Sequence, residues 1–307
     1  MNNEERLSYY LGEMYNLDRA VVTKSHQNIE TITTGNPTNR ISRMNYTTLQ
    51  HKHIMKNYSQ KLLELLEKGG HDKKSFLYCI GDVASDLKEY CFTKNRSGQD
   101  RKSVLLKCPN YSRHWNLVHD TSQFNDIPFN TKSNKLVWRG VTTGQPSRPG
   151  NRFTLVKQYF RKYSEIDVGF NGICQGKDEY AKYKTNEMSI TDLLTYKYIL
   201  MIEGNDKASG LNWSLASNSL VFMPKPTKFS WLMEDKLIPD IHYIQVNNDF
   251  SDLQTKVQWC NENPGKCKKI IRNANQYMNQ FMDVKREEWL ELEVLNRYFG
   301  KISLPTL

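Results

Sequence analysis

The chain has 307 residues, 38% hydrophobic and 11% aromatic, and 43 basic against 33 acidic residues give a formal net charge of +10. That length exceeds one ordinary hydrophobic core, so two domains are expected, and no run of about 18 apolar residues exists to form a membrane-spanning helix. The basic excess favours an anionic partner. No helix-turn-helix, zinc or RNP-like pattern accompanies it, so an anionic membrane surface or a phosphorylated glycan fits better than nucleic acid. A solvated basic surface with no partner is the plain alternative.

In chain order, residues 1–57 are polar and irregular, with the threonine-rich TITTGNPTNR and the basic HKHIMKN, and read as short helices and loops. Residues 57–70, NYSQKLLELLEKGG, predict an amphipathic helix with Leu62, Leu63, Leu65 and Leu66 inward and a glycine stop. SFLYCIGD reads as a buried strand closing at Asp82, and SVLLKC as another, followed by the basic, aromatic NYSRHWNLVHD. A strand over 135–139 precedes a helix over 152–163. An apolar run over 198–202 stops at Glu203-Gly204, and a helix start follows, with Asn205 and Asp206 able to cap and Leu211, Trp213, Leu215 and Ala216 facing inward. A further strand over 220–223 ends at Pro224. Helices are expected over 249–263, 265–280 and 286–300. Strands alternating with helices along the whole chain predict an α/β architecture with parallel sheets.

Six cysteines are spread without a CxxC pair, which suits a reducing cytosol and free thiols, although Cys260 and Cys267 are close enough in sequence for one bridge. The opening MNNEERLSYYLGEMYNL has early acidic residues and no apolar core, so export through a cleaved signal is not expected. The expected location is cytoplasmic, including the inner face of a membrane.

Three segments could carry chemistry. At Gly204, Asn205, Asp206, Lys207, Ala208 and Ser209 a strand turns into a helix. Small residues permit close approach, backbone N–H groups and the helix dipole favour a diphosphate, and Lys207 adds a mobile cation. The alternative is an ordinary strand-to-helix turn. The loop 139–152 interleaves Arg139, Arg148 and Arg152 with Gly140, Thr142, Thr143, Gly144 and Gly150, which makes an anion nest or a solvated basic loop. Ser217, Asn218 and Ser219 either line a donor pocket or satisfy backbone groups before a strand. His114 and Trp115, beside Arg113, form either a sugar platform or packing, and His242 reads as structural. The chain contains no Asp-x-Asp triplet, so no metal and no cofactor are expected. Arginines and the helix start would then neutralise a leaving diphosphate.

YKYILMIEGNDKASGLNWSLASNSLVFM followed by SWLMEDKLIPDIHYI, together with KLVWRGVTTGQPSRPGNR, resembles the signature of glycosyltransferase family 90. That family includes lipopolysaccharide-modifying, capsule-associated and protein O-glucosyltransferase members. The matched pieces span roughly the C-terminal two-thirds. Asp206, Ser209, Gly210, Leu211 and Trp213 look like the bacterial-type pattern, and animal members carry an arginine where this chain has Gly210, Leu211 and Asn212. The resemblance implies a GT-B-like fold of two Rossmann-like domains with a cleft between them. Residues 1–133 would form the acceptor side, 134–282 the UDP-sugar side, and 283–307 a helix packing back across both. It implies inverting transfer of a hexose or pentose from a UDP-sugar to a hydroxyl of a glycan or glycolipid, such as a lipopolysaccharide or capsule glycan. It also implies Asp82 as the base, with Asp86 in reserve, unless Asp82 merely caps a helix. Glu234 would accept from the nucleotide ribose, or be a surface glutamate. A nucleotide- or glycan-binding protein that keeps the pocket and lacks the base is the reading from another class.

Overall fold

Apolar runs separated by helices do assemble into parallel strands in a computed structural model, which describes residues 1–18, 21–22, 32–33, 40–45, 47, 56–79, 82, 87–98, 100–119 and 126–304. The chain divides into two units. One comprises Met1–Arg113, Thr227–Glu234 and Phe281–Leu307, the other His114–Pro226 and Asp235–Gln280. This division differs from the boundary expected at 133/134. The segment 227–234 and the last helix belong with the first unit, because Lys228–Ser230 pairs antiparallel with Asn95–Ser97 and Val284–Lys301 packs on the first helix, Asn3–Leu11. Among the described residues no helix is long and apolar enough to cross a membrane.

The second unit is built on five parallel strands: β1 (Ser133–Val141), β2 (Ile166–Gly172), β3 (Tyr196–Leu200), β4 (Leu220–Met223) and β5 (Ile244–Gln245). Their order is β5-β4-β3-β1-β2, with Val137 opposite Ile199 and Ile199 opposite Val221. Strands covered by helices need apolar residues on both faces, and the buried runs Leu136–Trp138, Tyr198–Leu200 and Leu220–Met223 supply them. The chain runs from β1 outward to β2, then crosses back to β3 on the other side of β1. The carboxyl ends of β1 and β3 therefore form the point where the winding reverses, the usual ligand position in such sheets. The helix expected over 152–163 spans Arg152–Tyr159, and Phe160 and Arg161 leave the helical region, Arg161 at a φ of 56°.

The first unit carries a mixed sheet. Phe76–Cys79, Cys91–Thr93 and Ser103–Leu105 are parallel, whereas Arg40–Met44 and Ile32–Thr33 add antiparallel strands. An all-parallel Rossmann-like sheet is thus corrected to a mixed one.

Charge inside this unit ties sequence-distant segments together. Arg6, without solvent exposure, bonds through Nη1 to Glu287 Oε1 at 2.5 Å and through Nε to the Tyr10 hydroxyl at 2.8 Å. Lys107 Nζ and Trp231 Nε1 both donate to Glu287 Oε2, at 3.1 and 2.7 Å, and the Trp231 ring stacks on Tyr10 at 3.6 Å. Burial opposes ionisation of Glu287, but Lys107 and Arg6 outweigh it and hold the carboxyl below its usual range. Glu291, one turn on, accepts the Cys108 N–H at 2.7 Å. Burial dominates there and pushes its pKa up to about 7. None of the six cysteines is in a disulfide, and the Cys267 thiol donates to the Cys260 carbonyl at 3.4 Å.

Glu291 gives a pH signature. An exposed glutamate releases its proton near ~4.3, while folded Glu291 keeps it to about 7. Between those values the folded state binds more protons than the unfolded one. Its contribution is therefore fully present below the lower value and is lost as pH rises through the upper. Denaturant unfolding at successive pH values should show stability declining across this window, and Glu291→Gln should flatten that decline. An unchanged slope in the variant would mean that Glu291 is ionised throughout.

Candidate functional site

At the carboxyl ends of β1 and β3 two loop backbones touch. Gly144, at a φ of +92°, sits so close to Gly204 that an added Cβ would lie 3.2 Å from the Gly204 carbonyl carbon. Its N–H donates to Asn205 Oδ1 at 2.8 Å. Any side chain at Gly144 would be strained in its backbone and would part the two loops.

Arg152 lies against this junction. Asn151 caps the helix that Arg152 opens, accepting the Thr154 N–H at 2.8 Å and donating to the Pro146 and Arg148 carbonyls at 3.0 and 2.6 Å. Arg152 Nη1 donates to the Val141 carbonyl at 2.9 Å and Thr143 Oγ1 at 2.6 Å, and Nη2 to the Ile202 carbonyl at 3.0 Å. A Cβ on Gly204 would come within 3.0 Å of the guanidinium carbon and 2.5 Å of Thr143 Oγ1. Nε is buried without a partner. Burial lowers the pKa to about 10, which leaves the group charged at neutral pH. No carboxylate pairs with it among the described residues. Arg152 is half-buried, with Glu203 the one carboxylate among the described residues near enough to offset its burial, so an anion joining it would be stabilising.

The loop bearing Arg148 is anchored beyond the strands. Gly150, at a φ of +65°, donates to the Asn248 carbonyl at 3.0 Å and sits close to Pro224, after the ends of β5 and β4. Arg148 itself is exposed, so this loop presents a cation from a fixed backbone.

Other expected residues have different roles. The Thr142 hydroxyl donates to the Cys174 carbonyl at 2.8 Å and accepts the Cys174 N–H at 2.7 Å, stapling the loops after β1 and β2. Arg139 reaches back along the sheet to Asp167 at 2.7 Å, and Tyr196 donates to the same carboxylate at 2.9 Å, so its guanidinium is engaged away from the junction. Gly140 is in the strand against the Trp138 ring. The helix expected at Gly204 begins at Leu211 and is five residues long, too short for the dipole argument at Gly204. The intervening Asp206 accepts the Lys207 N–H at 2.6 Å, and Lys207 is buried with Nζ on Asn212 at 2.8 Å, which corrects the mobile cation. Ala208 is buried and Ser209 exposed.

Ser217, Asn218 and Ser219 precede β4 and so lie at the amino end of the parallel sheet, opposite the Gly144–Gly204 junction. Ser217 donates to the Ser214 carbonyl at 2.7 Å, Ser219 to the Tyr196 carbonyl at 2.8 Å, and the Asn218 N–H to Asp126 at 2.5 Å. Glu234 belongs to the first unit, where its buried carboxylate accepts the Ser230 N–H and hydroxyl at 2.6 and 2.8 Å. His114 and Trp115 are buried, Trp115 to 1% exposure, so neither is an open platform. His242 packs its ring on Tyr277 at 5.3 Å. Asp82, also in the first unit, is half-buried, with Oδ1 accepting Lys94 Nζ at 3.0 Å and Oδ2 without a partner among the described residues. Asp86 lies outside the described residues. Sequence reasoning passed over Asn151, although asparagine just before a helix is an N-cap signal. It also passed over Asp167 and Cys174, whose contacts appear only once β1 and β2 are paired.

A model of the family described as Glycosyl transferase family 90 matches residues 110–302. The chain is 35% identical over 227 residues to O-glucosyltransferase LpsA of Dichelobacter nodosus, covering 73% of this chain and 66% of that protein. It is 30% identical over 148 residues to Protein O-glucosyltransferase 2 of Danio rerio, covering 48% and 28%. The match thus spans just under two thirds of the first relative and far less of the second. The solved structure of TarM aligns with 57% of this chain and 37% of its own at 14% identity and a TM-score of 0.41, too weak a likeness to assign a fold.

The loop contact can be isolated by two substitutions. Gly144→Ala meets both a positive φ and a neighbouring backbone, so it should cost on the order of 2–3 kcal/mol. Gly176 has a φ of +63° but nothing within 4 Å of an added Cβ, so Gly176→Ala should cost only about 1 kcal/mol. Equal losses in denaturant melts would show that the approach to Gly204 contributes nothing.

Proposed function

Because the chain belongs to glycosyltransferase family 90, we propose that it moves a sugar from a UDP-sugar to a hydroxyl of a glycan acceptor, such as a lipopolysaccharide or surface glycan, with inversion and without a metal. The observation that carries this reading is Arg152: a half-buried guanidinium with no carboxylate in ion-pair contact among the described residues, at the reversal point of a parallel sheet, beneath two closely apposed glycine loops. Such a group suits the oxygens of a diphosphate, and Arg148 on the anchored loop adds a second fork. The second unit is the donor side and the first the acceptor side, in the manner of a GT-B enzyme working from the cytoplasm.

In this mechanism the acceptor oxygen forms its bond to the anomeric carbon as the bond to the donor phosphate oxygen breaks, and the attack comes from the opposite face. Asp82 takes the hydroxyl proton through Oδ2, since Lys94 occupies Oδ1. Negative charge grows on the departing UDP. A cation already fixed at that place stabilises the transition state without reorganising.

Donor binding and chemistry separate in one pair of measurements. In EDTA, UDP should raise the melting temperature, since a ligand at a hundredfold excess over its Kd adds about 2.7 kcal/mol. Asp82→Asn should keep this shift while transfer to acceptor falls by ~100- to 10,000-fold. A shift seen only with a divalent ion would contradict the metal-free reading. Full activity in Asp82→Asn would move the base to Asp86, and an inactive parent that still binds UDP would favour a non-catalytic binder.

A further inference from the structure

The helix Pro264–Asn279 carries Lys266, Lys268, Lys269 and Arg272 and no acidic residue. Cys267, Ile270, Ile271, Ala274 and Met278 turn into the second unit's core, which leaves Lys266, Lys269 and Arg272 exposed on the outer face. Among the described residues none of the four cations has a carboxylate within ion-pair distance. Lys266 instead lies 5.2 Å over the ring of Trp259, which is 38% exposed. At the other end of the helix the Tyr277–His242 ring contact holds the preceding loop alongside, and there Ile238 and Ile241 are 54% and 43% exposed.

Residues 266, 273 and 277 fall on one flank of a helix, so Trp259 and the isoleucine loop border the same edge of the basic face. The eleven steps from residue 266 to residue 277 rise by roughly 16.5 Å at 1.5 Å each. One exposed apolar side chain needs no explanation. Here three large ones flank a run of cations without carboxylate partners. Asp240, exposed between the two isoleucines, is the opposing charge at the loop, so the attraction comes from the helix.

We propose that this face of the second unit docks onto an anionic lipid bilayer. Lysine and arginine meet lipid phosphates, while Trp259, Ile238 and Ile241 enter the boundary between headgroups and acyl chains. A soluble polyanion would use the cations and leave the apolar side chains in water. Docking requires neither donor nor base, so it stands or falls apart from glycosyl transfer.

Co-sedimentation of the full chain with vesicles tests this directly. The protein should pellet with phosphatidylcholine vesicles containing phosphatidylglycerol, not with phosphatidylcholine alone, and high salt should release it. Each surface cation contributes about a fivefold factor in partitioning, so Lys269→Gln with Arg272→Gln should weaken binding by roughly 30-fold. Ile238→Ser with Ile241→Ser should also weaken it. All four positions are exposed, so melting temperatures should match the parent. Failure to pellet, equal binding to both vesicle types, or parent-like binding by both double variants would overturn the proposal. Retention on DNA without vesicle binding would overturn it in favour of nucleic acid.

Discussion

The second unit depends on a contact between two backbones. Gly144 and Gly204 bring the loops after adjacent strands β1 and β3 so close that no Cβ fits freely between them, and the Arg152 guanidinium ties both loops together. Strand order brings these loops side by side, because winding reverses between β1 and β3. Glycine lets them meet, and arginine alone among cations supplies enough planar donors to reach Val141, Thr143 and Ile202 together. The outcome is a positive charge held in place before any ligand arrives. Pre-placement matters because a site that must gather its charges during reaction loses the benefit of having them.

The first unit is organised around Glu287. Its two oxygens gather Arg6 from the first helix, Lys107 from the end of a strand region and Trp231 from the segment 227–234. Removing one member of such a buried set leaves another charge uncompensated, at about 3–5 kcal/mol. This explains why an internal segment and the last helix fold with the N-terminal residues.

Much of this was legible in the sequence, and the failures share a cause. The α/β class followed from apolar runs such as YKYIL and LVFM, since strands covered on both faces must be apolar throughout. The glycine turn at Gly204 and the arginine of the loop were legible from local chemistry. Roles that depend on distant pairing were not. Asn205 looked like a helix cap, but its side chain is taken by Gly144, sixty-one residues away. Ser217–Ser219 looked like a pocket because they adjoin a strand, yet residues before a parallel strand stand at the far end from residues after one. Glu234 sits inside the family signature, yet its carboxylate serves Ser230, whose strand pairs with Asn95–Ser97. RISRM has neither alternation nor an apolar run, so its antiparallel strand gave no signal.

The proposed seat of the donor diphosphate is the Gly144–Gly204 junction, with Arg152 against it. Backbone deuterium exchange read by mass spectrometry, with and without UDP, addresses it directly, because ligand contact and loop stabilisation both slow local opening. With UDP bound, exchange should slow in peptides covering 141–152 and 201–208, with no change over 217–219. Binding of UDP with protection centred on 217–219, or with none at either loop, would contradict it.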